Sequence, residues 1–264
     1  MIPKIIHYCW FGRKPLSDKA LMCIESWKTI CPDFEIKKWD EDNYELNNNF
    51  TKQAYNYKNF AFVADYCRLD VLSKEGGIYL DIDMLILKSL NNLLRNTCFF
   101  GFENDWTVSC GIIGAVPHHY FIEEIRSFYE NIEFSITERL TITKHISDLI
   151  LKNISGVSSM AQIFKDIVIY PTHYFYPMPS GLNDYTKFIK SESYTVHLWD
   201  FSWQDEFYLL QQGRIKDATK LLFRNKFLNI NNIEKYYLHL FRSYPKSMKK
   251  WIKIKLNVIN QQKK

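Results

Sequence analysis

Between residues 61 and 74, apolar side chains recur at helical intervals. Val63, Cys67 and Val71 form one stripe and Phe62, Leu69 and Leu72 another, so the spacing predicts a helix. Gly76 and Gly77 follow its last turn, where a left-handed cap commonly ends a helix. Residues 78–87 are rich in strand formers and give way to polar Lys88 and Ser89, which predicts one strand over that run. Alternate residues of a strand share a face, so Ile78, Leu80 and Ile82 are expected on one side and Tyr79, Asp81 and Asp83 on the other. On the helix, Asp65 and Arg68 are three apart and share a face. Elsewhere residues 34–39 and 166–170 read as strands and 121–151 as helices, while Pro171, Pro177 and Pro179 mark a long loop. No internal repeat or low-complexity linker interrupts the chain.

The two aspartates change the picture. Carboxylates inside an apolar run are retained where they are paired, hydrogen-bonded or bound to a metal. A structural salt bridge to Lys or Arg is one account of Asp81 and Asp83. A divalent cation held by oxygen ligands, with a phosphate as co-ligand, suits the site better. A second Asp-x-Asp, at Asp40 and Asp42, lies in a polar run ending at Asn47, Asn48 and Asn49 and reads as a solvated loop. Taken singly, Trp10 reads as a half-buried aromatic, Tyr79 as strand packing, and His197 beside Trp199 and Trp203 as a structural histidine. The pair Asp65 and Arg68 alone reads as a surface ion pair.

The ordered combination is more specific. Ala64-Asp65-x-x-Arg68 followed by Gly76-Gly77-Ile78-Tyr79-Leu80-Asp81-Ile82-Asp83 resembles the sugar-donor site of glycosyltransferase family 32, and also that of the clostridial toxin glucosyltransferase domains. The run from Ile2 to Gly12, including Trp10, is similar to that family's opening strand. Ile169-Tyr170-Pro171, Tyr174-Phe175-Tyr176-Pro177 and His197-x-Trp199-x-x-Ser202-Trp203 resemble its closing segment, so the likeness runs through residues 1–203. The resemblance implies an α/β, Rossmann-like GT-A fold and a retaining transferase that uses Mn²⁺ or Mg²⁺. It implies stacking of Trp10 on the nucleobase, and contacts from Asp65 and Arg68 to the donor sugar and phosphates. Tyr79 and Asp81 would hold the ribose or sugar, and Asp83 would ligate the metal. His197 and Ser202 would complete the metal and diphosphate shell, with Trp203 closing over the leaving group. Asp81, Asp83 and Arg68 are the expected catalytic set.

The central stretch Ser109-Cys110-Gly111-Ile112-Ile113-Gly114-Ala115-Val116-Pro117 departs from the family by lacking the Asn that many relatives place before it. A Gly-Pro that many relatives place before a Thr-rich helix start is also missing around Thr137 to Thr143. No second carboxylate stands out as a nucleophile, which favours front-face attack guided by the diphosphate over double displacement.

A chain of 264 residues fits one α/β domain plus an extension, drawn at 1–210 and 211–264. Its six cysteines are scattered and expected to be reduced and buried. No signal peptide and no apolar run of about 20 residues is visible, so a bacterial, cytoplasmic enzyme is expected. From Arg214 to Lys264, 14 Lys and Arg face only Asp217 and Glu234; that segment carries +12 of a net +5 and the remainder −7. There Tyr236, Tyr237, Phe241, Tyr244 and Trp251 interleave with lysines. Two readings stay open for it: a solvated pair of helices divided at Pro245, or a peripheral contact with an anionic membrane. No nucleic-acid reading motif accompanies it.

The sequence therefore reads as a glycosyltransferase moving a hexose or N-acetylhexosamine from a UDP-sugar to a glycan or lipid-linked glycan acceptor in bacterial surface polysaccharide synthesis. The rivals are a metal-dependent nucleotide-sugar or phosphoester hydrolase and a noncatalytic carbohydrate- or membrane-binding protein.

Overall fold

A computed structural model describes residues 1–135, 141–154 and 158–200. The chain enters through β1 (Ile5–Cys9), α1 (Asp18–Ile30), β2 (Glu35–Trp39), α2 (Asn49–Asn56), α3 (Phe60–Glu75), β3 (Gly77–Leu80) and β4 (Met84–Ile86). It continues through β5 (Cys98–Asn104), β6 (Thr107–Ala115), α4 (Tyr120–Glu130) and α5 (Ile142–Leu151). The remaining elements are β7 (Gln162–Phe164), β8 (Ile167–Tyr170), α6 (Thr172–Phe175) and β9 (Thr195–His197).

Seven strands make one sheet in the order β2-β1-β3-β6-β5-β8-β7, and β4 pairs with β9 in a second, small sheet. β1 is parallel to β2 and β3, β6 is antiparallel to β3 and β5, and β8 is parallel to β5. Alternation along the strands feeds two cores. Ile6, Ile78, Leu80, Phe99 and Ile112 pack with Trp27 of α1 on one face. Tyr79, Cys98, Phe100 and Ile113 pack with Leu69 of α3, Ile125 of α4 and Ile146 of α5 on the other. Helices on both faces of a mixed sheet give the α/β, Rossmann-like layering expected of a GT-A fold. All six cysteines are free and buried. Among the described residues no helix is long and apolar enough to cross a membrane.

The helix expected over 61–74 is α3, and both glycines of the corner take positive φ, although Gly76 with ψ −162° is extended rather than the left-handed helical cap expected. Gly76 has φ 64° and Gly77 φ 106°, conformations that favour a residue without Cβ. A Cβ on Gly77 would also stand 2.8 Å from the carbonyl oxygen of Ile5 on the neighbouring strand.

Two expectations need correction. The single strand over 78–87 does not exist: β3 ends at Leu80, a turn closes with the Met84 N–H on the Asp81 carbonyl at 3.0 Å, and β4 belongs to another sheet. The strand thus ends before the aspartates, yet Asp81 still shares a side with Tyr79, whose hydroxyl lies 3.0 Å from its Oδ1. Carboxylates in the middle of a sheet would lack donors, whereas a turn lets each find its own partners. The Asp40–Asp42 segment is also more than a solvated loop. Asp40 is buried beside Lys38 at 2.6 Å, and Glu41 accepts the Gly12 N–H at 2.6 Å and the Tyr55 hydroxyl at 2.9 Å. It pins the loop that follows β1.

β1 and β3 are neighbours from which the chain departs in different directions, so their carboxyl ends flank the crevice where ligands settle in open α/β sheets. Trp10 follows β1 directly, and Asp81 follows β3.

Candidate active site

Arg68 lies at the heart of the crevice. It projects from α3 and is buried, yet fully employed. Its guanidinium reaches Asp65 Oδ1 at 2.9 Å and Asp81 Oδ1 at 3.3 Å, and donates to the Cys110 carbonyl at 2.8 Å. Its carbon centre stands 4.4 Å over the Tyr79 ring, and the Tyr79 hydroxyl donates to Asp81 Oδ1 at 3.0 Å. Burial opposes the guanidinium charge, but Tyr79, Asp81 and Asp65 more than reverse this and hold its pKa well above the usual value. Burial pushes the Asp65 carboxyl up to about 6, against the pull of Arg68. Asp65 also accepts the backbone N–H of Ile142, the first residue of α5. The expected surface pair is therefore a buried strut joining α3, α5 and the Asp81 turn.

Asp83 is held from the far end of the described chain. Its Oδ1 lies 3.0 Å from Nε2 of His197, and its Oδ2 accepts the Asp200 N–H at 2.7 Å. The Leu198 N–H bonds to its carbonyl at 2.9 Å. These contacts arise because Met84 is in register with His197 across the small sheet. Burial would raise the Asp83 pKa, but the charge and hydrogen bond of His197 and the Asp200 N–H outweigh it and hold the carboxyl below its ordinary range. Burial would lower the His197 pKa, and Asp83 reverses that to a net rise.

Asp81, Asp83 and His197 each present a ligand atom, all within 4.8 Å of one another. Nδ1 of His197 is buried without a hydrogen-bond partner among the described residues. Leaving such an atom unsatisfied costs about 1–3 kcal/mol. Two hard carboxylates and one imidazole are a donor set that fits Mn²⁺ or Mg²⁺.

The structure brings Asp65, Arg68, Tyr79 and Asp81 into one network and joins Asp83 to His197. Trp10 stands at the same carboxyl edge of the sheet, partly buried on the α1 side, with its indole N–H donating to the Lys14 carbonyl at 2.6 Å. Ser202 and Trp203 lie outside the described residues, as does the extension from 211 to 264. Two participants were named in the sequence reading but given no role beside Asp81. Tyr176 is buried and accepts the Ile112 N–H on its hydroxyl at 2.9 Å. Gly111 leaves no room between them: a Cβ there would sit 3.1 Å from Tyr176 Oη and 3.3 Å from Asp81 Oδ2. Tyr176 was visible as part of the resembling closing segment and Gly111 as a Gly within an apolar strand, but neither spacing nor pattern places them against Asp81.

Gly111→Ala is accordingly expected to displace Asp81 by a few tenths of an ångström and lower turnover about 10-fold or more, since small misplacements are costly in catalysis. Steady-state kinetics beside a thermal melt check this; turnover equal to that of the parent chain shows that Asp81 tolerates the shift. Trp10→Ala should weaken nucleotide-sugar binding by about 1–3 kcal/mol, the range for aromatic–base stacking. Calorimetric titration measures it, and unchanged affinity removes the stacking role.

Residues 17–100 match the family described as "Glycosyltransferase sugar-binding region containing DXD motif". The chain is 26% identical over 239 residues to "Uncharacterized glycosyltransferase L373" of Acanthamoeba polyphaga mimivirus, covering 86% of this chain and 90% of that one. It is 30% identical over 140 residues to "Inositol phosphoceramide mannosyltransferase 2" of Schizosaccharomyces pombe, covering 47% of this chain and 37% of that one. The chain thus spans well under half the length of this fungal relative. Among solved structures it is similar to the galactosyltransferase LgtC in complex with donor and acceptor sugar analogs, with 14% identity, a TM-score of 0.39, and coverage of 86% of this chain and 98% of that one. The matched sugar-binding region and glycosyltransferase relatives make this chain a transferase enzyme, a glycosyltransferase.

Proposed function

We propose that the chain transfers a hexosyl or N-acetylhexosaminyl unit from a nucleoside diphosphate sugar to a glycan hydroxyl, with a divalent cation and with retention at the anomeric carbon. The Asp81, Asp83 and His197 cluster, set beside buried Arg68 in the β1/β3 crevice, is the observation that carries this reading. A UDP-sugar is the favoured donor and a GDP-sugar its rival. The viral and fungal sources of the relatives lend no support to the bacterial capsule or lipopolysaccharide setting expected from the sequence. The phosphoceramide in the fungal relative's name does support an acceptor carried on a lipid.

In this reading the acceptor oxygen bonds to the anomeric carbon while the bond from that carbon to the β-phosphate oxygen breaks. The electron pair leaves with the nucleoside diphosphate, and the acceptor's proton passes to the departing phosphate. A cation held by Asp83 and His197, with Asp81 beside them, would neutralise the growing negative charge on that phosphate. Arg68 supplies a second, fixed positive charge for the same purpose, preorganised by Asp65, Asp81, the Cys110 carbonyl and the face of the Tyr79 ring. Tyr79 fixes Asp81, and Asp65 fixes Arg68. Ser202 and Trp203 are proposed to complete the diphosphate shell. A division at 1–210 and 211–264, with the basic extension facing an anionic cytoplasmic membrane surface, remains part of the proposal.

The deciding experiment is a panel of UDP- and GDP-sugars with Mn²⁺, read as thermal stabilisation and nucleotide release. One donor that stabilises the chain and is slowly turned over, with both effects lost on chelation, supports the reading. A folded chain that responds to none defeats it. Fast release without any acceptor points instead to a hydrolase.

A further inference from the structure

β5 and β6 do not pair evenly. Phe99 lies opposite Gly114 and Gly101 opposite Ser109, so β6 runs ahead of β5 and the two strands open between these pairs. Tyr176 and Phe175 fill the gap, crowding Gly101 and Gly111. A second irregularity follows at once: Phe102 pairs with Val108 and Asn104 with Thr107, which leaves Glu103 unpaired on the strand. Such bulges re-aim one side chain and are frequent beside active sites.

Glu103 is a partly buried carboxyl that the transfer reading does not use. Burial raises its pKa, and the nearby Ser109 hydroxyl, which also acts on Tyr176, opposes that rise. Two residues before Glu103, Gly101 packs against Tyr176, whose ring centroid lies 5.8 Å from that of His197, and the charges of His197 and Asp81 both act on the Glu103 carboxyl. Among the described residues no Lys or Arg forms an ion pair with it. A half-buried carboxylate has about four lone-pair sites, and a serine hydroxyl has a single proton to give. Three residues further on, at the hairpin tip, Trp106 is 75% exposed. Its backbone N–H bonds to Asn104 Oδ1 at 3.0 Å, which stiffens the tip. Three residues span at most about 10 Å, roughly the length of two pyranose rings.

A sugar presents exactly these two needs: hydroxyls that donate, and a face of C–H groups that packs on an aromatic ring. We propose that the β5–β6 hairpin is the acceptor subsite, with Glu103 accepting a hydroxyl of the acceptor pyranose and Trp106 stacking on its ring or on the next one. The ligand class is a neutral hexopyranoside, and the assignment rests on the glycosyl-transfer reading above for its place in the reaction. Glu103 takes no proton in this role; it orients the hydroxyl.

The test uses the full chain with methyl and p-nitrophenyl gluco-, galacto- and mannopyranosides. Saturation-transfer NMR reads glycoside binding without donor, and kinetics with the donor selected by the panel read the acceptor KM. Glu103→Gln preserves shape, and Trp106→Ala alters an exposed residue, so both variants should fold. Each is expected to lose glycoside saturation and raise the acceptor KM about 10-fold or more, the worth of one charged hydrogen bond or stacked ring. Nucleotide affinity should stay within about two-fold. Glycoside binding and KM unchanged in both variants overturn the proposal, as does a parent chain that binds none of the glycosides. Because binding is read without donor, glycoside binding that depends on these residues in a chain that turns over no donor sinks the transfer reading alone. Donor turnover with unaltered glycoside binding sinks this one alone.

Discussion

Asp83→Asn is expected to reduce metal-dependent transfer on the order of 10³-fold while the chain remains folded, the scale seen when a group that stabilises transition-state charge is removed. Asparagine keeps an oxygen for the Asp200 N–H and an amide donor for His197, so the small sheet should survive. What it removes is the charge. The pH dependence of stability, measured by denaturant titration in chelator, provides a second reading. The folded pKa of Asp83 is depressed, so its contribution is present above the unfolded value of about 3.9 and is lost as pH falls through the folded value. The folded pKa of His197 is raised, so its contribution is present below about 6.5 and is lost as pH rises through the folded value. The pair therefore stabilises most in the window between those limits, and the variant should be flatter across it. Retained transfer in the variant would remove Asp83 from the centre of the mechanism.

Arg68→Met should be the more damaging change, because it takes away both the fold's buried cation and the crevice's fixed positive charge. Asp65 and Asp81 would lose their shared partner, the Cys110 carbonyl its donor, and the Tyr79 ring its cation. Stripping one member from a buried charge network costs about 3–5 kcal/mol. Asp65, already pushed up to about 6 by burial, would rise further without Arg68 to oppose it. A carboxyl whose folded pKa exceeds its unfolded one stabilises at low pH, so the variant's stability should decline as pH rises from about 4 towards neutral. Arg68→Lys separates the two roles. It keeps a charge and much of the stability, but a single ammonium cannot serve Asp65, Asp81 and the Cys110 carbonyl at once. Turnover about 10²-fold below the parent is expected, with a melt close to it. A lysine variant as active as the parent would show that the planar fork is dispensable.

Much of this site lies within one local stretch, and that stretch was legible. The apolar stripes of α3, the paired glycines that end it, and the shared face of Asp65 and Arg68 all follow from helical spacing and the φ preferences of glycine. So does the divergence of Ile78 and Leu80 from Tyr79, which strand alternation dictates. The link from Asp83 to His197 came from resemblance, since no spacing rule connects residues this far apart. Asp40 and Glu41 misled for the opposite reason: a polar loop looks solvated until its carboxylates are seen to hold the Gly12 turn. Glu103 was invisible, because one acidic residue at the end of an apolar strand normally marks only where the strand meets water.

Backbone preferences and side-chain periodicity act over a few residues, so the chain by itself determined α3, the glycine corner, the start of β3 and the chemical types gathered there. Tertiary structure alone decided that the strand stops at Leu80 and that Met84 pairs with His197. The tendency of residues 78–87 to be extended is met equally by one long strand or by two short ones in different sheets. Only the hydrogen-bond partners that distant segments supply, together with the cost of leaving two carboxylates unpaired inside a sheet, select the turn that turns them towards the site.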